Sequence, residues 1–189
     1  KNETKRLFEE SLRENPNNCL SCFCLGQWYE REGDDAKAQE FYARAFRLNP
    51  NYFQAGYQWA VMSVRLNQPD IAHEALRGLE AILHKDGRNS RWWNDAGSLY
   101  CLLGNYSAGL LMFEEALRIS PDNLLYRKNA GNALFMLNDY SRAKKIYLDL
   151  VGQGALELRL SELVHGPARQ GQRVCGAVRD AAVVVSGFR

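Results

Sequence analysis

The sequence lacks any long apolar run and carries almost no excess of charge. No uninterrupted apolar stretch approaches the roughly 20 residues that a membrane-spanning helix needs. Twenty-four basic and 22 acidic side chains leave a formal net charge of +2 over 189 residues. This surplus is too small to indicate a basic surface for nucleic acid. We therefore expect neither a membrane nor a nucleic acid as a partner.

Histidine is scarce, and cysteine is present in an odd number. The three histidines, His73, His84 and His165, show no ligand spacing with acidic or cysteine neighbours. No glycine-rich phosphate loop follows a predicted strand. We therefore expect no catalytic residue, no metal and no cofactor, and we predict that the protein is not an enzyme. Five cysteines do not make a disulfide framework, which favours a reducing compartment, and we expect a cytoplasmic protein.

The sequence does contain a regular period. Three glycines lie three residues before a larger side chain, namely Gly26 before Tyr29, Gly97 before Tyr100 and Gly131 before Leu134. Three small residues lie four before an aromatic, namely Ala38 before Tyr42, Gly109 before Phe113 and Ala143 before Tyr147. Pro16 and Pro50 are 34 residues apart, and Pro121 closes a later unit. Fixed offsets of this kind indicate an internal repeat.

Each repeating unit is expected to contain two helices. The apolar residues alternate spacings of three and four, as in Tyr42, Ala45 and Phe46, which is typical of helices and not of strands. A short turn divides each unit, at the segments REGDD, LLGNY and MLNDY. In these turns Gly or Asn can adopt the left-handed conformation, and the residue that follows can cap the second helix.

This pattern resembles the tetratricopeptide repeat (TPR) family, whose unit is a helix-turn-helix of about 34 residues. The unit that begins at Cys19 carries the family's pattern at Leu25, Gly26, Tyr29, Ala38, Tyr42, Ala45 and Pro50. The resemblance implies an all-α fold, a right-handed superhelical solenoid of stacked helix-turn-helix repeats. We predict TPR repeats at residues 19–52, 53–89, 90–123 and 124–157.

Three parts of the chain depart from the family pattern. Residues 1–18 match only the second helix of a partial repeat. The unit 53–89 is degenerate, and Pro69 is expected at the first position of its second helix. This unit is about three residues longer than its neighbours around HKDGRNS, and we expect a longer loop before the next helix. Residues 158–189 do not match the repeat, and we expect a capping helix followed by a poorly ordered tail.

Three cysteines, Cys19, Cys22 and Cys24, fall in the first helix of the unit 19–52. On a helix, Cys22 and Cys24 point about 160° apart, so the thiolates cannot converge on one metal ion. We expect Cys22 to be a small buried hydrophobic residue. A zinc ion shared with a partner protein and reversible oxidation are the alternatives.

By resemblance to the family, the first helix of each repeat lines a concave groove. The partner-binding residues that this implies are Phe23, Gln27, Tyr57, Val61, Arg91, Asn94, Lys128 and Asn132. Apolar side chains near the front and amides and cations near the back suit a peptide or a helix that is anchored by its apolar side chains and hydrogen-bonded through its backbone. Trp92 is a further candidate contact.

The expected function is that of a non-catalytic scaffold, which binds a protein or peptide ligand in the groove and assists complex assembly. Two alternatives remain open. The chain begins without an initiator Met, and we expect it to be a segment of a longer protein, such as the TPR arm of an enzyme like a glycosyltransferase. It could also be a self-associating module that forms a homo-oligomer through the exposed terminal helix at Phe8 and Leu12.

Overall fold

Helices make up all the regular secondary structure in the part of the chain that the structure describes. The computed structural model describes residues 2–152. These residues form α1 Asn2–Glu14, α2 Cys19–Glu32, α3 Asp35–Leu48, α4 Phe53–Arg65, α5 Pro69–Lys85, α6 Ser90–Leu102, α7 Tyr106–Ile119, α8 Leu124–Met136 and α9 Tyr140–Gly152. No strand occurs within residues 2–152, and the predicted all-α fold is confirmed.

Each helix packs mainly against its neighbours in sequence, as in a solenoid. Helices α2 and α3, α4 and α5, α6 and α7, and α8 and α9 pack as pairs, while α3 on α4 and α7 on α8 join successive pairs. The first helices of adjacent pairs also touch, α4 with α6 and α6 with α8. Helices α4, α6 and α8 therefore form a continuous row.

Left-handed residues end the first helix of each pair. The backbone φ angle is 82° at Gly33, 56° at Asn67, 81° at Gly104 and 62° at Asn138. In three of these turns the side chain of the next residue accepts a hydrogen bond from the backbone N–H three residues further on, at Asp34, Asn105 and Asp139. The predicted turn chemistry is confirmed, because Gly and Asn tolerate positive φ and the capping oxygen satisfies a free helical N–H.

The three additional residues of the unit 53–89 extend a helix and not a loop. Helix α5 has 17 residues, whereas α3 and α7 have 14 each. The connections 49–52, 86–89 and 120–123 are equally long, so the predicted longer loop is wrong. The buried residues Ile82 and Leu83 continue the helical apolar spacing, and the N–H of Asp86 then bonds to the Ile82 carbonyl. Pro69 does occupy the first position of α5, as predicted.

Two glycines allow paired helices to approach closely. A Cβ atom on Gly26 would lie 2.7 Å from the ring of the fully buried Tyr42. Gly109 stands where the family pattern has alanine, and a Cβ there would lie 2.5 Å from the sulfur of Cys101. Cys101 therefore fills the space that the alanine methyl would occupy. At both places the small residue sets the distance between the helices of a pair.

The buried side chains form two hydrophobic clusters. The larger one extends from α2 to α6 and includes Cys22, Trp59 and Leu79. The smaller one lies in α7 to α9 and includes Phe113 and Leu150. Cys22 has no exposed surface, so it packs as the small hydrophobic residue that the sequence predicts.

The two ends of the described segment differ. Helix α1 packs on α2, but the Leu7 side chain on α1 is 58% exposed. The capping helix and tail predicted for residues 158–189 lie outside the described residues, as does the end of the last predicted repeat at 153–157. Among residues 2–152, no helix combines the length and the apolar character needed to cross a membrane.

Candidate functional site

The eight predicted partner-binding residues all lie on the first helices α2, α4, α6 and α8. Their exposure differs. Phe23 and Asn94 are buried, and Arg91 is exposed. The remaining five are partly buried, namely Gln27, Tyr57, Val61, Lys128 and Asn132. The eight predicted side chains thus range from buried to exposed, and the two buried ones offer little surface to a partner.

Phe23 belongs to the hydrophobic core. Its ring centroid lies 5.4 Å from that of Tyr42 and 5.0 Å from that of Tyr52, and the side chain is 7% exposed. Tilted aromatic pairs at these separations are favourable contacts. Phe23 therefore packs between α2, α3 and the connection 49–52, and it leaves little surface for a partner to contact. Val61 also packs against this cluster but keeps part of its surface.

Asparagine side chains join the last two first helices. The amide nitrogen of Asn129 on α8 donates to the Asn94 Oδ1 on α6 over 2.7 Å. The Asn132 Oδ1 accepts a hydrogen bond of 2.8 Å from the Tyr147 hydroxyl. The Asn129 Oδ1 and the Asn132 Nδ2 make no hydrogen bond to any residue in 2–152. One donor and one acceptor therefore remain for a ligand.

Tyr57, Arg91 and Asp95 form a group of polar side chains between α4 and α6. Burial, together with the nearby Asp95 carboxylate, raises the pKa of Tyr57 to about 12. Burial also raises the pKa of Asp95, and the Arg91 guanidinium opposes that effect. The Arg91 Nε lies 3.7 Å from the Asp95 Oδ2. The charges of Asp95 and Arg91 thus both act on the Tyr57 phenol, in opposite directions.

A second polar network links α2, α3 and α4. The Glu30 carboxylate accepts a 2.8 Å hydrogen bond from the Tyr42 hydroxyl and lies 3.3 Å from the Arg65 Nη1. The same Arg65 nitrogen is 3.5 Å from the Asp35 Oδ1. Since its members come from three helices, this network links the helix pair α2–α3 to the next pair through Arg65 on α4.

Sequence reasoning missed Asp95 and Asn129, which occupy the sixth position of their respective predicted repeats. Each faces the first helix of the preceding repeat, where Asp95 lies near Tyr57 and Asn129 contacts Asn94. The available signal was a polar residue at the same repeat position in two units. A comparison of that position across the units would have found both residues.

The two neighbouring tryptophans of α6 have contacts within the chain. Trp92 stacks on Phe53 with ring centroids 4.9 Å apart, and the Trp93 indole N–H donates to the Gly87 carbonyl over 2.7 Å. Trp92 also lines an open cavity of about 600 Å³ together with Ile82 and Lys85. The cavity lies at the connections between helix pairs, away from the asparagine bridge.

Potential metal ligands do not cluster in the described residues, and three of the cysteines there have raised pKa values. Within residues 2–152, no three side chains of His, Cys, Asp or Glu come together as a metal site. Burial raises the pKa of Cys22 and Cys24, and it raises the pKa of Cys101 to about 11. Because the thiolate is the reactive form, these three cysteines are poor nucleophiles at neutral pH.

Comparisons with known proteins agree with this architecture. Two family models described as "Tetratricopeptide repeat" match residues 19–52 and 91–123. The TPR repeat-containing protein MJ1428 of Methanocaldococcus jannaschii is 24% identical over 137 residues, which are 67% of this chain and 24% of that protein. The protein O-mannosyl-transferase TMTC1 of Mus musculus is 24% identical over 136 residues, which are 67% of this chain and 14% of that protein. The chain thus spans about a quarter or less of the length of these relatives.

Solved structures share the fold. MamA (residues 41 to the end) from Desulfovibrio magneticus RS-1 superposes with a TM-score of 0.65 at 21% identity, covering 85% of this chain and 86% of that MamA chain. YrrB, described as a TPR protein with an unusual peptide-binding site, superposes with a TM-score of 0.61 at 18% identity, covering 77% of this chain and 75% of YrrB. The two family matches show that the chain contains repeats of the tetratricopeptide repeat family, and the solved structures share its all-α solenoid fold.

Proposed function

We propose that this chain is a non-catalytic scaffold that binds a peptide segment of a partner protein along the first helices α2, α4, α6 and α8, and that this binding assists complex assembly. The observation that carries the proposal is the asparagine bridge between α6 and α8. The bridge holds the Asn129 amide, and the Tyr147 hydroxyl holds the Asn132 amide, while the Asn129 Oδ1 and the Asn132 Nδ2 remain without partners in residues 2–152. A peptide backbone offers the matching N–H and C=O groups.

The predicted binding residues divide into two roles in this proposal. The partly or fully exposed ones contact the ligand, namely Gln27, Tyr57, Val61, Arg91, Lys128 and Asn132. The buried residues Phe23 and Asn94 set the shape of the floor and hold neighbouring side chains in place. The peptide-binding site described for YrrB supports a similar use of the shared fold. The odd number of cysteines favours a reducing compartment such as the cytoplasm.

The test is selection of peptides from a displayed random library, followed by calorimetry with the selected synthetic peptides. The groove variant is Asn129→Ala with Asn132→Ala. The control variant changes two exposed loop asparagines, Asn17→Ala with Asn51→Ala. We expect the groove variant to lose about tenfold in affinity, the effect of roughly one or two hydrogen bonds, while the control binds like the parent. Failure to select any peptide, or equal binding by both variants, would overturn the proposal.

A second candidate is the TPR arm of a larger enzyme, and the similarity to the O-mannosyl-transferase TMTC1 favours it. In that arrangement the first helices would present an acceptor protein to a catalytic domain outside these residues. The two candidates share the groove and differ in what is covalently attached to it. Sequencing the full-length transcript decides between them, since a transferase domain in the same reading frame supports the second and its absence excludes it.

Self-association through α1 is a separate proposal, favoured by the exposure of Leu7. Phe8 and Leu12, the residues that the sequence suggested for this contact, are partly buried, and Leu12 packs against the larger cluster. A second copy that covers this face would remove apolar surface from water. Light scattering over a dilution series measures it, with Leu7→Glu as the variant that should keep the chain monomeric. A monomer at all concentrations in the parent would exclude this proposal.

A further inference from the structure

Asp95 is a carboxylate whose removal from water is compensated by only weak contacts within the protein. Its side chain is 16% exposed, the smallest exposure of any acidic residue in the ion pairs within residues 2–152. Its ion pair is also the longest of them, with 3.7 Å between the Arg91 Nε and the Asp95 Oδ2. The Asp95 Oδ1 accepts one long hydrogen bond of 3.4 Å from the Asn94 Nδ2. A carboxylate has about four lone-pair sites, so most of its capacity is unused.

Glu30 is a carboxylate of similar burial whose hydrogen-bonding and charge partners are much closer. Glu30 is 24% exposed, and it has the Tyr42 hydroxyl at 2.8 Å and the Arg65 guanidinium at 3.3 Å. Asp95 lacks contacts of that quality. Desolvation of a carboxylate is costly unless strong hydrogen bonds replace water. A cation should therefore bind Asp95 more favourably than it would bind a carboxylate such as Glu30, which already has close partners.

The surroundings of Asp95 suit a cation. Tyr57 on the neighbouring helix α4 is largely buried, and its hydroxyl makes no hydrogen bond within residues 2–152. Helices α4 and α6 pack together, and the Asp95 charge acts on Tyr57. An aromatic ring near a carboxylate adds to the attraction that the carboxylate has for a cation. The Arg91 side chain is 72% exposed, so it can swing into solvent without losing buried packing.

We propose that Asp95 and Tyr57 form a subsite for one Lys or Arg side chain of the bound peptide, and that Arg91 occupies this subsite when no peptide is present. The inference rests on the proposed peptide-binding function and adds the charge of the ligand to it. The incoming cation pairs with the Asp95 carboxylate, lies against the Tyr57 ring and displaces Arg91. An acidic side chain at the same point would face the Asp95 carboxylate and be repelled.

The experiment uses the displayed random library on the whole chain, in the parent and in the Asp95→Asn variant. We expect peptides selected by the parent to carry Lys or Arg at one fixed position and those selected by Asp95→Asn to lose that preference. A synthetic peptide with Arg at that position is then compared with its neutral citrulline analogue by calorimetry. The expected preference for Arg is about tenfold on the parent, which is the effect of one charge-assisted hydrogen bond, and about twofold or less on Asp95→Asn.

A second variant, Arg91→Gln, is expected to change the affinity in the opposite direction. Arg91→Gln removes the internal competitor, so it should bind the Arg peptide about threefold more tightly than the parent does, an increment within the range of a weak surface ion pair. Equal thermal midpoints by circular dichroism show that the variants fold alike. If Arg91→Gln instead weakens binding of the Arg peptide, Arg91 does not compete with the cation of the ligand for Asp95, and the subsite proposal is overturned.

The outcomes separate the two proposals. Selected peptides that depend on Asn129 and Asn132 but show no basic position would overturn the subsite and leave the groove function standing. Basic peptides that bind the parent and Asp95→Asn equally would also overturn the subsite. If no selected peptide depends on the groove asparagines, both proposals fail.

Discussion

At the scale of single residues, a methyl group decides how closely two helices can pack. Gly26 on α2 faces the ring of Tyr42 on α3, and a Cβ atom would lie 2.7 Å from two ring carbons. Tyr42 has no exposed surface, and its hydroxyl is held by Glu30. The ring therefore cannot move aside without breaking that hydrogen bond.

Gly26→Ala is accordingly expected to destabilise the fold by about 1–3 kcal/mol, the usual cost of overpacking a core. The gain in helix propensity, about 0.5–1 kcal/mol, does not offset that cost. Gly152→Ala is the matched control, since nothing lies within 4 Å of a Cβ at that position on α9. Chemical denaturation of the two variants measures the difference, and equal stabilities would contradict the packing argument.

Because of Tyr57, the free energy of unfolding is expected to decrease with pH in the alkaline range. Burial raises its pKa to about 12, whereas tyrosine in an unfolded chain titrates near 10. Above pH ~10 the unfolded state therefore binds fewer protons than the folded state, and stability falls as the pH rises towards ~12. Tyr57→Phe is expected to flatten this decline and to leave stability at neutral pH nearly unchanged, because the hydroxyl has no hydrogen bond within residues 2–152.

Tyr147 supplies the comparison. Burial raises its pKa to about 12 as well, but its hydroxyl donates to Asn132 over 2.8 Å. Tyr147→Phe should flatten the alkaline decline and also cost about 1 kcal/mol at neutral pH. Urea titrations across pH 8 to roughly 11 measure both effects. An alkaline decline that neither substitution changes would show that these phenols do not govern it.

At the scale of elements, the connection 86–89 depends on one indole. Helix α5 is longer than the other second helices, and the chain then reaches α6 through Gly87, whose carbonyl accepts the Trp93 N–H over 2.7 Å. A Cβ on Gly87 would lie 2.9 Å from the Leu83 carbonyl oxygen and 3.0 Å from the Trp93 ring. The longer helix is therefore joined to the next pair by a tightly packed turn.

Trp93→Phe should release this turn. We expect faster amide hydrogen exchange in 86–89 and a loss of about 1 kcal/mol beyond the loss of ring area. Trp28→Phe is the matched control, because the Trp28 indole N–H is buried without a hydrogen-bond partner in residues 2–152. If the two substitutions cost the same stability and hydrogen exchange in 86–89 is unchanged, the Trp93 indole does not hold this connection in place.

The elements could be predicted where local chemistry decides them. The turns at Gly33 and Asn138 follow from the few residues that tolerate positive φ, and the helices follow from the apolar spacing. The residues HKDG predict a loop from their local composition, whereas the burial of Ile82 and Leu83 continues α5 to Lys85. Asp95 and Asn129 were missed because their partners lie on a neighbouring unit, and contacts between units depend on how the helices rotate against each other.

At the scale of the whole molecule, contacts between neighbours dominate. Each helix packs on the next, and the buried side chains divide into a larger cluster over α2 to α6 and a smaller one over α7 to α9. In such an array, stability is roughly the sum of the units and their interfaces. A destabilising substitution in one cluster should therefore lower the stability of the neighbouring helices only, unless it lies at the centre of the array.

Two leucines of equal burial test this. Leu79 on α5 is 0% exposed in the larger cluster, and Leu150 on α9 is 1% exposed in the smaller one. Either Leu→Ala change leaves a cavity that costs about 2–5 kcal/mol. We expect Leu150→Ala to speed hydrogen exchange in α8 and α9 while α2 and α3 keep the parent's protection, and Leu79→Ala to speed exchange from α3 to α6. Uniform loss of protection over residues 2–152 in both variants would show that the array unfolds as one cooperative unit.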